Sequence, residues 1–250
     1  MKIQKYALAI NSGLIMLAAS LLITILHESA HYFTAISMGL TATLHHNYVD
    51  HQGGTPEQQM MIAAAGPLFS LILGIIGLVI ALLSSRASLA NLFFLWFGIM
   101  GWISFFGYLL IAPFIKEGDT GKVMAYFAVP MIWQIVILVV STVFMIWLLS
   151  WLAPEFSRYK ATAVFNQIEN SRQLFNFPIF FLIIAGTLAN LPAPHWPSLL
   201  PGICMPMSYF TTMGAYRGLK LNDAELWVDR VSTPVVVMTI IVIIVFRLLV

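Results

Sequence analysis

Long apolar segments separated by short polar breaks constrain the fold of this chain more than any other feature of its sequence. A helix of about 20 apolar residues crosses the hydrocarbon core of a bilayer. Hydrophobic residues make up 60% of the 250 residues and charged residues only 9%, whereas soluble domains carry about 25% charged residues. Mostly apolar stretches occupy residues 7–40, 60–83, 89–112, 123–152, 177–191 and 231–250. The sequence therefore predicts an all-α, polytopic transmembrane helical bundle of about six spans.

The pattern divides the chain into three units. Residues 1–153 form a four-span core with a short polar loop after the first span, and residues 154–176 form a polar amphipathic connector. Residues 177–250 form a C-terminal membrane segment that ends in a final span. Within it, five prolines interrupt the apolar stretch 192–216, so a seventh span or a re-entrant segment stays open there.

Two local features predict further detail. Pro130 lies inside the fourth apolar stretch, and a proline in a helix interior removes a hydrogen bond and bends the helix. We therefore expect one kinked span over residues 123–152. In the connector, apolar residues keep helical spacing between residues 161 and 168 opposite polar ones, which predicts an amphipathic helix at the membrane interface.

The motif His27-Glu28-Ser29-Ala30-His31 lies within the first apolar stretch. On a helix, His27 and His31 lie one turn apart with β-carbons about 6 Å from each other, close enough for both imidazoles to bind one zinc ion. Glu28 is then placed to act as a general base toward water. Ionisable groups within hydrocarbon cost about 2.5–3.5 kcal/mol each on insertion scales, and metal binding offsets that cost. The alternative, in which the histidines only hydrogen-bond to neighbouring helices, is less favoured because unpaired buried polar groups are costly.

A catalytic zinc ion has three protein ligands and an open position, and Asp119 is the leading candidate for the third ligand. It lies in a glycine-flanked break between two apolar stretches, where irregular backbone is tolerated at membrane depth if it lines a cavity. Its carboxylate would also offset the charge of the ion. Glu117 is a near competitor, and a surface aspartate making turn contacts with Thr120 and Gly121 is the alternative role for Asp119.

A second group of metal-ligating residue types lies in the polar loop 41–59. We interpret this loop as solvated, while a gating or substrate-contacting role and the third-ligand role stay open for it. Cys204 is the single cysteine, which excludes an internal disulfide and a cysteine-rich metal site. The net charge of +2 gives no indication of a nucleic-acid partner. In the polar loop 41–59, the residues of metal-ligating type are His45, His46, Asp50 and His51.

Residues 22–123 resemble the site-2 protease family of intramembrane zinc metalloproteases. That family joins H-E-x-x-H on a transmembrane helix to A-G-P-x-x-N on a following span, and then to a Leu-Asp-Gly segment whose aspartate completes the zinc site. The first element matches fully here, and the second matches at Ala65, Gly66 and Pro67, with Ser70 in place of the asparagine. The third element is looser, with Gly118 and Thr120 flanking Asp119.

The resemblance implies a hydrolase that cleaves a peptide bond in or near the transmembrane segment of a membrane-protein substrate. One zinc ion would be held by His27, His31 and Asp119, with Glu28 as the catalytic residue and no other cofactor. Such a protein would lie in the cell membrane as a multi-pass protein in contact with the lipid bilayer. Two other classes stay open, namely a catalytically inactive protease-like scaffold, which the Ser70 and Asp119 contexts allow, and, less favoured, a metal transporter.

Overall fold

A computed structural model describes residues 4–161, 166–191, 200–219 and 225–249. The structure is a helical bundle with almost no sheet, which confirms the predicted all-α class. Five of its helices are long and apolar enough to cross a membrane, so the chain is a membrane protein. A sixth apolar helix, Thr233–Leu248, is shorter.

In the first half of the chain, a short β-hairpin connects the first two long helices. The predicted polar loop holds this hairpin, whose strands β1 and β2 are antiparallel with Thr43 opposite Asp50. A capping box at Thr55 starts the following helix, because the Thr55 hydroxyl accepts the Gln58 N–H and the Gln58 side chain accepts the Thr55 N–H. The elements are α1 (Ala7–Ser37), β1 (Ala42–Leu44), β2 (Val49–His51), α2 (Pro56–Leu83), α3 (Leu89–Ile111) and α4 (Asp119–Tyr126).

The second half contains shorter elements and a second small sheet. Strands β3 and β4 of this sheet are parallel, with Lys160 opposite Trp227. Part of the proline-interrupted stretch is helical, whereas residues 192–199 lie outside the described residues. The elements are α5 (Met131–Trp151), β3 (Tyr159–Ala161), α6 (Gln167–Ser171), α7 (Phe177–Ala189), α8 (Leu200–Arg217), β4 (Leu226–Val228) and α9 (Thr233–Leu248).

The expectation of one kinked span over residues 123–152 is wrong. Helix α4 ends at Tyr126, the chain turns through Ala128 at φ 48°, and α5 begins at Met131. Pro130 is the N-cap of α5. Proline fits the start of a helix because its missing N–H is not needed there, and it disfavours helical backbone in the residue before it. Pro130 therefore starts a new helix, and α4 is a separate element.

The described residues of the connector, 154–161 and 166–176, include several that pack into the core. A 3₁₀ helix (Ala153–Arg158) leads into β3, and α6 continues through a π-helical turn (Arg172–Asn176) into α7. Ala161 ends a strand and does not lie in an amphipathic helix, and Val164 and Phe165 lie outside the described residues. The aromatic side chains Phe156, Tyr159 and Phe175 are fully buried, and the rings of Phe156 and Phe175 pack on each other with centroids 4.9 Å apart.

Helix α1 lies at the centre of the bundle, in contact with α2, α3, α7 and α9. Helices α2 and α3 approach closely through facing glycines, because a Cβ at Gly77 would lie 2.8 Å from the Gly98 nitrogen and one at Gly74 would lie 2.8 Å from the Trp102 nitrogen. Small residues permit such approaches between membrane helices. This packing holds α2 and α3 together against one side of α1, where the H-E-x-x-H motif lies.

Candidate metal centre

The two motif histidines point at the same spot from the C-terminal half of α1. Both are buried, with 3% of His27 and 6% of His31 exposed. Their ring centroids are 4.8 Å apart, and the distance between the two Nε2 atoms is 3.1 Å. The helical spacing of the motif therefore brings two lone-pair donors together, as its sequence predicts.

Asp119, the first residue of α4, completes this group. Its Oδ2 atom lies 3.1 Å from His27 Nε2 and 3.2 Å from His31 Nε2. The Thr120 hydroxyl donates a hydrogen bond of 2.5 Å to the Tyr108 carbonyl, which fastens the start of α4 to α3. Gly121 permits the turn before α4 to fold tightly, because a Cβ there would lie 2.8 Å from the Lys116 carbonyl oxygen.

The three ligand atoms fit a divalent metal ion. Their separations of 3.1–3.2 Å are close to the roughly 3.3 Å between neighbouring ligands of a tetrahedral zinc ion with bonds of about 2.0–2.1 Å. Two imidazole nitrogens and one carboxylate oxygen are also the donor types of catalytic zinc sites, which leave a fourth position open. The structure thus brings together His27, His31 and Asp119, whose ligand atoms lie close enough to one another to hold one metal ion.

Helix α2 provides the partner for the second nitrogen of each ring. His31 Nδ1 donates to the Ile62 carbonyl oxygen at 2.6 Å, and His27 Nδ1 is 3.0 Å from the Ser70 hydroxyl. Because a carbonyl oxygen only accepts, His31 Nδ1 carries the proton of this hydrogen bond. Ligating histidines commonly hold their other ring nitrogen in such contacts, which orient the ring.

Gly66 allows α2 to lie directly against the two imidazoles. A Cβ at this residue would lie 2.6 Å from His27 Nε2 and would overlap His31 as well. Pro67 follows it inside α2 and leaves the carbonyl one turn earlier without its helical N–H partner. The Ala65-Gly66-Pro67 stretch therefore has a physical role here, since any larger residue at the glycine would occupy the ligand atoms' space.

Glu28 lies within the same buried group but outside the triad. Only 7% of its surface is exposed, and it interacts electrostatically with His27, His31 and Asp119. Among the described residues none donates a hydrogen bond to its carboxylate. A buried carboxylate without a protein donor is costly, so its oxygens are available to accept from water or a bound substrate.

Three contributors to the centre were not assigned a role by the sequence. Tyr108 stacks on His27 with centroids 5.1 Å apart and an interplanar angle of 12°, and its hydroxyl interacts with Asp119. No motif marks this tyrosine. Ser70 was visible only as the residue in place of the family's asparagine. The contribution of Ile62 is a backbone carbonyl, which a pattern of side chains cannot reveal.

The competing ligand candidates lie elsewhere. Glu117 is exposed and is not part of the metal-binding group. His45 stacks on Tyr48 with centroids 4.2 Å apart, and His46 packs on Phe246 at 5.1 Å.

Asp50 is exposed on β2, and neither it nor His51 belongs to the group. Burial and nearby Lys122 lower the pKa of His51, so this ring is neutral near pH 7. Among the described residues, the hairpin therefore supplies no ligand to the centre.

No family model, curated protein or solved structure matches this chain. The resemblance to site-2 proteases consequently depends on the motif residues themselves. What the molecule contains is a group of two imidazoles and two carboxylates inside an apolar helical bundle, and three of these side chains place ligand atoms close enough together to hold one metal ion.

Proposed function

We propose that this protein is an intramembrane zinc metalloprotease similar to the site-2 proteases. It would lie in the cell membrane as a multi-pass protein and hydrolyse a peptide bond in or near the transmembrane segment of a membrane-protein substrate. The observation that carries this proposal is the convergence of His27, His31 and Asp119 on one spot with Glu28 buried beside them.

The donor set favours zinc among the divalent metals. Imidazole nitrogens suit zinc, whereas magnesium and calcium prefer ligand sets made of oxygen. His27, His31 and Asp119 would hold the ion. A zinc ion bound there supplies a Lewis acid that acidifies water and polarises a peptide carbonyl.

Glu28 performs the proton transfers of the proposed reaction. Its carboxylate takes a proton from the attacking water and later gives it to the amide nitrogen that leaves as an amine. Two features suit it to this work: it is buried beside the three candidate ligands, and its oxygens have no hydrogen-bond donor among the described residues. General acid–base catalysis of this kind contributes about 10²–10⁴-fold to a rate.

The place of the centre along α1 supports access for water. Helix α1 has 31 residues and is about 46 Å long at 1.5 Å per residue, which exceeds the hydrocarbon core of about 30 Å. Counted from Ala7, that core ends near His27. The polar hairpin contacts α1 and follows its C-terminal end. Water and the end of a substrate helix would thus reach the centre without crossing the bilayer interior.

Cleavage and metal content, measured together, test the proposal. Wild type, Glu28→Gln, His27→Ala and a control, His45→Ala, are expressed with single-span reporter substrates. We expect Glu28→Gln to keep its metal and lose turnover by about 10²–10⁴-fold, His27→Ala to lose both, and His45→Ala to keep both. Unimpaired cleavage by Glu28→Gln would contradict the mechanism. Metal flux in proteoliposomes without any peptide substrate would indicate a transporter instead.

A further inference from the structure

Tyr108 of α3 contacts two of the three candidate ligands. These two ligands come from different helices, since His27 belongs to α1 and Asp119 to α4. We propose that Tyr108 is a positioning residue of the metal centre, whose ring fixes the orientation of His27 and whose hydroxyl fixes that of Asp119. The inference rests on the proposed metal centre and does not depend on peptide hydrolysis.

The ring of Tyr108 lies against one face of the His27 imidazole. The two rings are stacked, with centroids 5.1 Å apart and an interplanar angle of 12°. The torsion that turns an imidazole about its Cβ–Cγ bond has broad minima, so the backbone of α1 does not by itself fix the plane of this ring. A parallel aromatic neighbour restricts it, because turning the imidazole would drive its edge into the tyrosine. The stacking therefore keeps His27 Nε2 directed at the spot that it shares with His31.

The hydroxyl of Tyr108 contacts the side chain of Asp119. A phenol O–H donates a hydrogen bond and a carboxylate accepts it. Asp119 directs its Oδ2 atom toward both imidazoles, at 3.1 Å from His27 Nε2 and 3.2 Å from His31 Nε2. The torsion of a carboxylate about its Cβ–Cγ bond is as broad as that of an imidazole. A donor from α3 therefore limits how far Asp119 can turn its oxygens away from the two histidines.

The backbone of the same tyrosine fastens the start of α4. The Thr120 hydroxyl donates to the Tyr108 carbonyl at 2.5 Å, and Thr120 is buried. Tyr108 thus acts on Asp119 in two ways, because its carbonyl holds the neighbouring residue of α4 and its hydroxyl holds the carboxylate itself. The substitution Tyr108→Phe keeps the ring and the carbonyl and removes only the hydroxyl, so it isolates one of these contacts.

Zinc affinity tests the role of the hydroxyl without any measurement of cleavage. The full chain is purified as wild type, Tyr108→Phe and Tyr126→Phe, and zinc affinity is measured by competition with a chelator. Tyr126 is a matched control because it lies on α4 but is 42% exposed and outside the metal-binding group. We expect affinity to fall about 10-fold in Tyr108→Phe, the lower end of the range for outer partners of metal ligands, and to be unchanged in Tyr126→Phe. Equal affinity in Tyr108→Phe and wild type would overturn the proposal.

A double-mutant cycle shows whether the hydroxyl acts through Asp119. Tyr108→Phe is combined with Asp119→Ala, which leaves a weaker site with two histidine ligands. We expect the effect of Tyr108→Phe on zinc affinity to disappear in this background, because the hydroxyl has lost the group that it orients. A tyrosine that only stabilises the fold would lower zinc affinity by the same factor with and without Asp119, and that result would overturn the proposal.

A third variant tests the role of the ring. Tyr108→Leu removes the stacking on His27 as well as the hydroxyl, so its zinc affinity should fall further than that of Tyr108→Phe. Equal affinities in these two variants would overturn the role assigned to the ring. Failure of this inference is distinguishable from failure of the proposed function. Normal zinc affinity in every Tyr108 variant would leave the protease intact, whereas unimpaired cleavage by Glu28→Gln would reject the protease and leave the positioning role standing.

Discussion

The chain has two regions rich in histidine, and they behave differently. In α1, His27 and His31 face each other across one helical turn, and Asp119 meets both from α4. In the hairpin after α1, His45 and His46 are adjacent in sequence but turn to separate aromatic partners. The difference teaches that closeness in sequence does not make a metal centre. The α1 pair has a shared face, a carboxylate brought in from elsewhere, and a partner for each second nitrogen.

Removing a histidine from each region gives the largest contrast. We expect His27→Ala or His31→Ala to lose metal affinity by more than the 10–100-fold typical of outer partners, because each removes one of three ligands. His45→Ala should bind metal as wild type does. Metal titration of the purified proteins measures the effect. Equal losses of metal affinity in the α1 and hairpin variants would show that the two regions do not differ in metal binding.

We expect the next largest loss of metal affinity when the Asp119 carboxylate is changed. Asp119→Asn replaces a charged oxygen ligand by a neutral amide, so metal affinity should fall by about 10-fold or more, at least as far as for a lost outer partner. Glu117→Gln, two residues away and exposed, is the matched control and should leave affinity unchanged. If Glu117→Gln lowered metal affinity more than Asp119→Asn does, Glu117 would be the carboxylate ligand, and the geometry described for α4 would be wrong.

Close packing of α2 against the imidazoles predicts a further effect. Gly66→Ala places a methyl group 2.6 Å from His27 Nε2, and overpacking of this kind costs about 1–3 kcal/mol. We expect weaker metal binding and a lower unfolding temperature. Gly107→Ala is the control, since nothing lies within 4 Å of the methyl group that it adds. Calorimetry with and without zinc measures both quantities, and normal metal binding by Gly66→Ala would show that α2 does not confine the rings.

The smallest expected effect concerns the hairpin. Burial lowers the pKa of His46, and nearby Arg247 and His45 add to that shift. A histidine whose folded pKa lies below its unfolded value of about 6.5 gives stability that is present above that pH and lost as the pH falls through it. Wild type should therefore lose more thermal stability between about pH 7 and pH 5 than His46→Gln does. An equal loss of thermal stability in both proteins would show that the lowered pKa of His46 does not contribute to the pH dependence.

The sequence predicts some parts of this molecule better than others. Hydropathy locates α1, α2 and α3 within a few residues, because each is a long apolar run bounded by polar or turn-forming residues. It fails at Pro130, where one apolar run contains the end of α4 and the start of α5. It also fails in the connector 154–176, because pairing of β3 with β4 and burial of aromatic side chains depend on distant parts of the chain.

The same limit applies to the centre. Helical spacing alone brings His27 and His31 together, and the glycine-flanked break pointed to Asp119. Ser70 and Tyr108 contact His27 only because glycines bring α2 and α3 close to α1. Such contacts depend on how helices pack, which the local pattern of one segment does not specify.

The central claim is that one metal ion is held by His27, His31 and Asp119. Its most direct test is the metal content of the full chain purified without chelators, compared with that of the double variant His27→Ala/His31→Ala. We expect about one zinc ion per chain in wild type, as for a single three-ligand site, and none in the double variant. Wild-type protein without stoichiometric metal, or a double variant that retains it, would contradict the account.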